Sequence, residues 1–192
     1  MSIETKNKWD KNYRSCISEF PKAAEVLLQN RHLLPSQGTA LDLACGRGAN
    51  AICLAENGLS TSAWDISSVA IKHLTDKAKE NSLAINSEVR DVSQNPPDPN
   101  SFDVIVISRF LDRNIITEIK SAIKVNGLIY YQTFRKEKVD SIGPGNPDYL
   151  LDKNELLNLF DDWQIIFYRE EGNTGNTDNG FRNEAMLIAK KP

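Results

Sequence analysis

The residues best suited to chemistry begin in one stretch, "LDLACGRGAN" (residues 41–50), and recur at intervals beyond it. Gly46-x-Gly48-x-x-Ala51 fits the glycine fingerprint of a turn that lets a ligand approach the backbone. Such a turn ordinarily receives a dinucleotide pyrophosphate at the helix N-terminus that follows it. Asp42 opposes that use, because a carboxylate facing two phosphate charges in a poorly hydrated crevice is repelled. Further acids stand at Asp65 and Asp91, and Ser108 and Arg109 close a later apolar run. An ammonium, a ribose diol and an adenine amine all donate hydrogen bonds to carboxylates, and an acidic pocket accepts a nearby cation. S-adenosylmethionine carries all three groups and a sulfonium. Asp65 alone does not discriminate, since an acid about 20 residues past the glycines also serves a nicotinamide ribose; Asp42 does.

These residues work together only if they share one edge of a sheet. After residue 38, apolar runs alternate with helical patterns, which argues for β-α-β units and a largely parallel sheet. The runs predict strands at 40–44, 59–65, 86–91, 102–108, 127–134, 163–169 and 184–190. Helices are expected at 6–16, 21–32, 49–57, 68–81 and 112–125, and a last one restarts through an Asp152-x-x-Glu155 capping box. Ser67 suits the cap of the fourth helix, and Asn126-Gly127 the stop of the fifth. The last two strands, joined by a Gly/Asn-rich segment, are expected to pair as an antiparallel hairpin. In an open α/β sheet ligands bind beyond the carboxyl ends of the strands, where Asp42, Asp65, Asp91, Ser108 and Arg109 all fall.

With those motifs in view, "LDLACGRGAN", "AWDIS", "RDV", "FDVIVIS" and "NGLIYYQTF" resemble the successive motifs of class I S-adenosylmethionine-dependent methyltransferases. The resemblance implies a Rossmann-like α/β fold, a seven-stranded sheet of order 3-2-1-4-5-7-6 with strand 7 antiparallel, and helices on both faces. It implies that Asp42, Ala44, Gly46 and Gly48 lie at the methionine part of the cofactor, Asp65 and Ile66 at the ribose, Asp91 and Val92 at the adenine, and Ser108 beside them. Ala44 stands where the family often has glycine. "KWDKNY" looks like the W-D-x-x-Y segment of small-molecule members, which brings Trp9 and Tyr13 to the cofactor; core packing of an added helix is the competing use of this pair. "SRFLDR", "YQTF" and "GPGNPDYLLDKNELLNLF" resemble the tellurite-resistance type. A single domain is expected, with an N-terminal helical lid (1–35), a cofactor-binding core (39–134) and an acceptor-side loop, helix and closing hairpin (135–192).

Composition narrows the partners. A chain of 192 residues is long enough for one sizeable core. Its net charge of −3 disfavours nucleic acid, and no apolar run approaches a membrane span. Without a signal-peptide pattern, and with Cys16, Cys45 and Cys53 outside any C-x-x-C spacing, a cytoplasmic location with reduced thiols is expected. Oligomeric state is not legible. Cys45 reads as a buried filler of its turn, and "NPPD" (95–98) lies before the strand that an N-P-P-aromatic motif would follow.

The acceptor side is marked by Arg109, Arg113 and Arg135, which follow the fourth and fifth strands, with Tyr131 and Thr133 as further hydroxyl donors. Arg109 and Arg135 are expected to position a small anionic or soft acceptor, such as a tellurite- or selenite-like oxyanion or a thiol. No metal ligand set is evident. Two rivals stand beside methyl transfer: a nicotinamide-dependent oxidoreductase, and a non-catalytic module that binds S-adenosylmethionine as a signal.

Overall fold

The computed structural model describes residues 3–15 and 19–192; Cys16, and with it the end of the first predicted helix, lies outside them. Seven strands form one sheet: β1 (Thr39–Leu43), β2 (Ser60–Asp65), β3 (Ile85–Val89), β4 (Phe102–Ser108), β5 (Ile123–Phe134), β6 (Gln164–Arg169) and β7 (Glu184–Lys190). Their spatial order is β3-β2-β1-β4-β5-β7-β6. The first five are parallel, while β7 runs antiparallel to both β5 and β6. This is the expected class I arrangement. The helices are α1 (Ile3–Arg14), α2 (Glu25–Gln29), α3 (Ala49–Glu56), α4 (Ser68–Glu80), α5 (Ile116–Ala122) and α6 (Glu155–Leu159).

Burial on both faces explains why β4 reads as an unbroken apolar run. Ile105 and Ile107 enter a core with Tyr131, Leu156 and Phe160, whereas Val104 and Val106 meet Leu27, Tyr130 and Met186 on the other face. A third cluster packs α3 and α4 over β2 through Ala51, Ala63 and Leu74. Among the described residues no helix is long and apolar enough to cross a membrane.

Three elements differ from expectation. The predicted helix at 21–32 shrinks to α2 and a 3₁₀ turn at Arg31–Leu33. Before it the chain runs across the strand ends, where Ala24 N–H donates to Asn50 Oδ1 (2.8 Å), and in the first turn of α2 Val26 N–H donates to Gln132 Oε1 (2.9 Å). The predicted helix at 112–125 becomes a 3₁₀ turn (Arg113–Ile115) and α5, and β5 starts at Ile123. Asn126-Gly127 is thus an irregularity within β5 rather than a helix stop: pairing with β4 shifts register there, and Asn126 takes φ 66°. The capping box is half made, for Glu155 accepts the Asp152 N–H (2.7 Å) while the Asp152 carboxylate pairs with Lys136.

Candidate active site

The glycine turn joins β1 to α3 by a backbone that only glycine adopts without strain, at φ 53° for Gly46 and 80° for Gly48. Ala44, just before it, has φ 55°, which explains the family's preference for glycine at a position where an alanine is strained. The Cys45 N–H donates to Trp64 O (2.9 Å), tying the turn to β2, and the thiol is buried and pushed well above its ordinary range by desolvation. Cys45 is a filler, as expected.

Asp65 bridges two turns. Its carboxylate accepts from Gly46 N–H and from Ser67 N–H, each at 2.8 Å, and so locks the β1 and β2 ends to one another. Burial raises its carboxyl, and these two bonds pull it back. Each oxygen keeps a second acceptor site. Beside it Ile66 is half-buried. Asp91 lies just past β3 rather than within it, where its carboxylate accepts the Ser93 N–H (3.1 Å); Val92 is buried in the core beneath, among Trp64, Phe102 and Leu111.

Asp42 requires a correction. Direct contact with a ligand ammonium was expected, yet the side chain is fully buried. It faces inward to α3, accepting from Ala51 N–H (3.0 Å) and Asn50 Nδ2 (3.2 Å). Burial pushes its carboxyl up to about 7 against the pull of those bonds. An amide of the first turn of α3, the natural phosphate receptor, is already taken by a carboxylate. Asn50 joins this network to Ser108, whose Oγ accepts from Nδ2 at 2.9 Å.

α1 lies over this edge. Trp9 and Tyr13 stack with centroids 5.9 Å apart, and the Tyr13 hydroxyl stands 2.7 Å from where a Cβ on Gly46 would be. Sequence reading missed the residue that fastens the helix, Asp10. It is buried, accepts from Ser67 Oγ (2.6 Å) and Val69 N–H (3.3 Å) at the N-terminus of α4, and pairs with Lys6 (2.6 Å). Ser67 meanwhile caps α4 as expected, accepting from Ala70 N–H.

Hydrogen bonds from Lys6 and then Ser67 hold the Asp10 carboxyl down at about 2. A depressed folded-state value stabilises docking above the ordinary pKa near 4, and the contribution is lost as pH falls toward 2. Protection of the α1 amides, measured as exchange relative to the intrinsic rate at each pH, should therefore fall through that window. At neutral pH Asp10→Asn, which loses the charge, should speed exchange in α1 by roughly tenfold, for about 1.4 kcal/mol. Unchanged exchange in that variant would mean that α1 is held by other contacts.

At the acceptor end the three arginines part company. Arg113 clamps Glu155 through Nε (2.6 Å) and Nη2 (2.9 Å) and donates to Asp148 O and Leu150 O. Arg135 is buried between Glu137 and Glu170, both at 2.8 Å. The expected role for Arg135 in holding an acceptor is corrected accordingly: the side chain is enclosed, and its charge is paired with the buried Glu170 and the half-exposed Glu137. Tyr131 and Thr133 are also buried, and the Tyr131 hydroxyl donates to Phe110 O. Arg109 differs. Its backbone is left-handed (φ 55°), its N–H donates to Gln132 O (2.8 Å), and its side chain is 66% exposed with, among the described residues, only Nε engaged in a hydrogen bond, on Glu184 (2.9 Å). Phe134 lies beneath the guanidinium at 5.8 Å. Among the described residues, open pockets of about 410 and 420 Å³ are lined by Arg90 and Pro96 and by Leu33 and Leu128 respectively, and neither is lined by Gly46, Asp65, Asp91 or Arg109.

Solved structures share this fold. TehB from Haemophilus influenzae matches with 24% identity and a TM-score of 0.70, over 97% of this chain and 67% of that one. An S-adenosylmethionine-dependent methyltransferase from Methanosarcina mazei matches with 21% identity and a TM-score of 0.66, over 89% and 99%. Geranyl diphosphate C-methyltransferase from Streptomyces coelicolor, solved with Mg2+, geranyl diphosphate and S-adenosyl-L-homocysteine, matches with 14% identity and a TM-score of 0.67, over 88% and 76%. No curated protein sequence matches the chain. The fold and strand order are those of a class I methyltransferase that uses S-adenosylmethionine. Within that class the chain belongs to the TehB family, described as tellurite resistance protein TehB, which matches residues 1–187.

Proposed function

We propose that the enzyme methylates a small anionic or soft acceptor, an oxyanion of the selenite or tellurite kind or a thiol, held by Arg109. The observation that carries this reading is the contrast among the arginines. Two are consumed by internal carboxylates, whereas Arg109 presents its terminal nitrogens outward from a strained backbone at the end of β4, beside the glycine edge. A planar guanidinium fixed at Nε can grip an oxyanion with both remaining nitrogens.

The cofactor supplies an activated methyl on a sulfonium. The residues that fit it are the Gly46 turn, Asp65 with two unused acceptor sites, Asp91, and Trp9 and Tyr13 on α1. Asp42 occupies the Ala51 N–H in the first turn of α3 and sets a carboxylate behind the site a pyrophosphate would use, which disfavours the nicotinamide rival. In the transfer, an acceptor lone pair forms the new bond to carbon while the carbon–sulfur pair returns to sulfur, so one positive charge disappears. A selenite or tellurite dianion therefore becomes a methylated monoanion with no proton to remove. Alignment and exclusion of water are what the chain contributes. Arg109 orients the acceptor, and α1 covers the donor side.

The test is methyl transfer to selenite, tellurite and 2-mercaptoethanol, compared with neutral amines and phenols. Arg109→Ala should lower kcat/KM for the oxyanions roughly 10- to 150-fold, the range for about 1.5–3 kcal/mol of charged hydrogen bonding, with cofactor affinity unchanged. Arg109→Lys should recover little, because a point charge lacks the planar fork. Preference for a neutral acceptor, or full oxyanion activity in Arg109→Ala, would overturn the proposal. Binding of the cofactor with no transfer to any acceptor would favour a non-catalytic module.

A further inference from the structure

Arg109 does not stand alone. Its Nε donates to Glu184 Oε1 (2.9 Å), Glu184 Oε2 accepts from Gln132 Nε2 (2.5 Å), and Gln132 Oε1 accepts from Val26 N–H (2.9 Å). Glu184, Gln132 and Val26 are all buried. The four groups join four distant parts of the chain: the first turn of α2, the end of β5, the start of β7 and the turn after β4.

The chemistry of this chain of bonds is directional. Both of its ends are donors and nothing else, a backbone N–H at one and a guanidinium N–H at the other. Gln132 must turn its carbonyl to Val26, which leaves its amide hydrogens facing residue 184. That residue must then accept from Gln132 and from Arg109 at once, and only a carboxylate does so with both oxygens. From this we infer that Glu184 and Gln132 are positioning residues for the acceptor: they fix the plane of the Arg109 guanidinium and register it against the N-terminal segment that lies across the strand ends. The inference rests on the proposed role of Arg109. A guanidinium free to rotate would keep its charge but lose the bidentate geometry that distinguishes an oxyanion from a neutral nucleophile.

An exchange of the two side chains tests this. In Glu184→Gln the new amide sets a donor against either Gln132 or Arg109, and in Gln132→Glu two carboxylates meet. Combining Gln132→Glu with Glu184→Gln preserves composition and net charge and restores an acceptor for every donor: Glu at 132 accepts from Val26 and from the amide at 184, whose carbonyl accepts from Arg109. The readouts are kcat/KM for selenite and for 2-mercaptoethanol, cofactor affinity by titration calorimetry, and the unfolding midpoint. Each single variant should lose roughly tenfold in the selenite-to-thiol ratio, with cofactor affinity held within about threefold. The double variant should regain the ratio to within about threefold. Equal loss toward both acceptors in step with stability would make the pair purely structural and overturn the inference, as would a folded double variant without selenite preference. Should either single variant not fold, the double variant decides alone. If Arg109→Ala lowers selenite turnover and Glu184→Gln does not, the relay falls while the acceptor reading stands. If Arg109→Ala has no effect, both fall.

Discussion

Asp65→Ala is expected to bind S-adenosylmethionine roughly 10- to 150-fold more weakly than the parent, the equivalent of about 1.5–3 kcal/mol for hydrogen bonds to a charged partner. The expectation has two sources. On the proposed cofactor placement the remaining acceptor sites of the carboxylate would take the ribose hydroxyls, while the occupied ones hold Gly46 N–H and Ser67 N–H, so the same group also shapes the glycine turn. Titration of S-adenosylhomocysteine and its 2′-deoxy analogue against parent and variant separates these. If the carboxylate meets the ribose, the analogue loses affinity in the parent and little more in Asp65→Ala; if it only shapes the turn, the losses add. Parent-like affinity in a folded variant would remove Asp65 from the site. Asp65→Asn should fall nearly as far, because an amide donor would then face one of the two backbone N–H groups.

What the sequence revealed here, and what it did not, divides along a physical line. Features governed by neighbours in the chain were legible. The glycine turn, the Ser67 cap, and the extents of β4 and β7 follow from backbone freedom, local capping and uninterrupted apolar composition. The strand order came from the resemblance, because periodicity gives a strand its faces but not its neighbours. Partners far away in the chain were not legible. Nothing local tells that Arg113 will meet Glu155, that Arg135 will be enclosed by Glu170, or that Val26 will find Gln132 more than 100 residues on. Arg109 and Arg135 therefore looked equivalent as acceptor-holding residues, and the fold leaves only the first of this pair facing outward. Asp42 shows the same effect in reverse. Its type and position pointed to the correct ligand class, yet the partners its carboxylate finds are Asn50 and Ala51 at the N-terminus of α3. Asp10 sat within a recognised segment between two aromatic residues, and its partners on α4 are nearly 60 residues away.

The two glycines of the turn should fail in opposite ways when a methyl is added. At Gly48 a Cβ would stand 2.3 Å from Leu74 Cδ1 and 2.7 Å from Cδ2, and Leu74 is fully buried in the cluster that packs α4 over α3. That side chain has nowhere to retreat, so Gly48→Ala combines overpacking of about 1–3 kcal/mol with about 1 kcal/mol for a left-handed alanine. A loss of about 2–4 kcal/mol in a urea or guanidinium unfolding experiment is expected, enough to remove a large part of the stability of a domain of this size. At Gly46 the obstructing atom is the Tyr13 hydroxyl, 2.7 Å away, at the tip of a half-buried side chain on α1. That tip can move, and α1 with it, so Gly46→Ala should cost only about 1 kcal/mol in stability. Its effect should appear in cofactor binding instead, because the turn and the covering helix are displaced together. Tyr13→Phe in the Gly46→Ala background, by removing the hydroxyl, should recover part of the lost affinity. The pair of variants thus asks whether α1 belongs to the site: equal stability losses at the two glycines, or a Gly46→Ala enzyme with unaltered cofactor affinity, would place Tyr13 outside it.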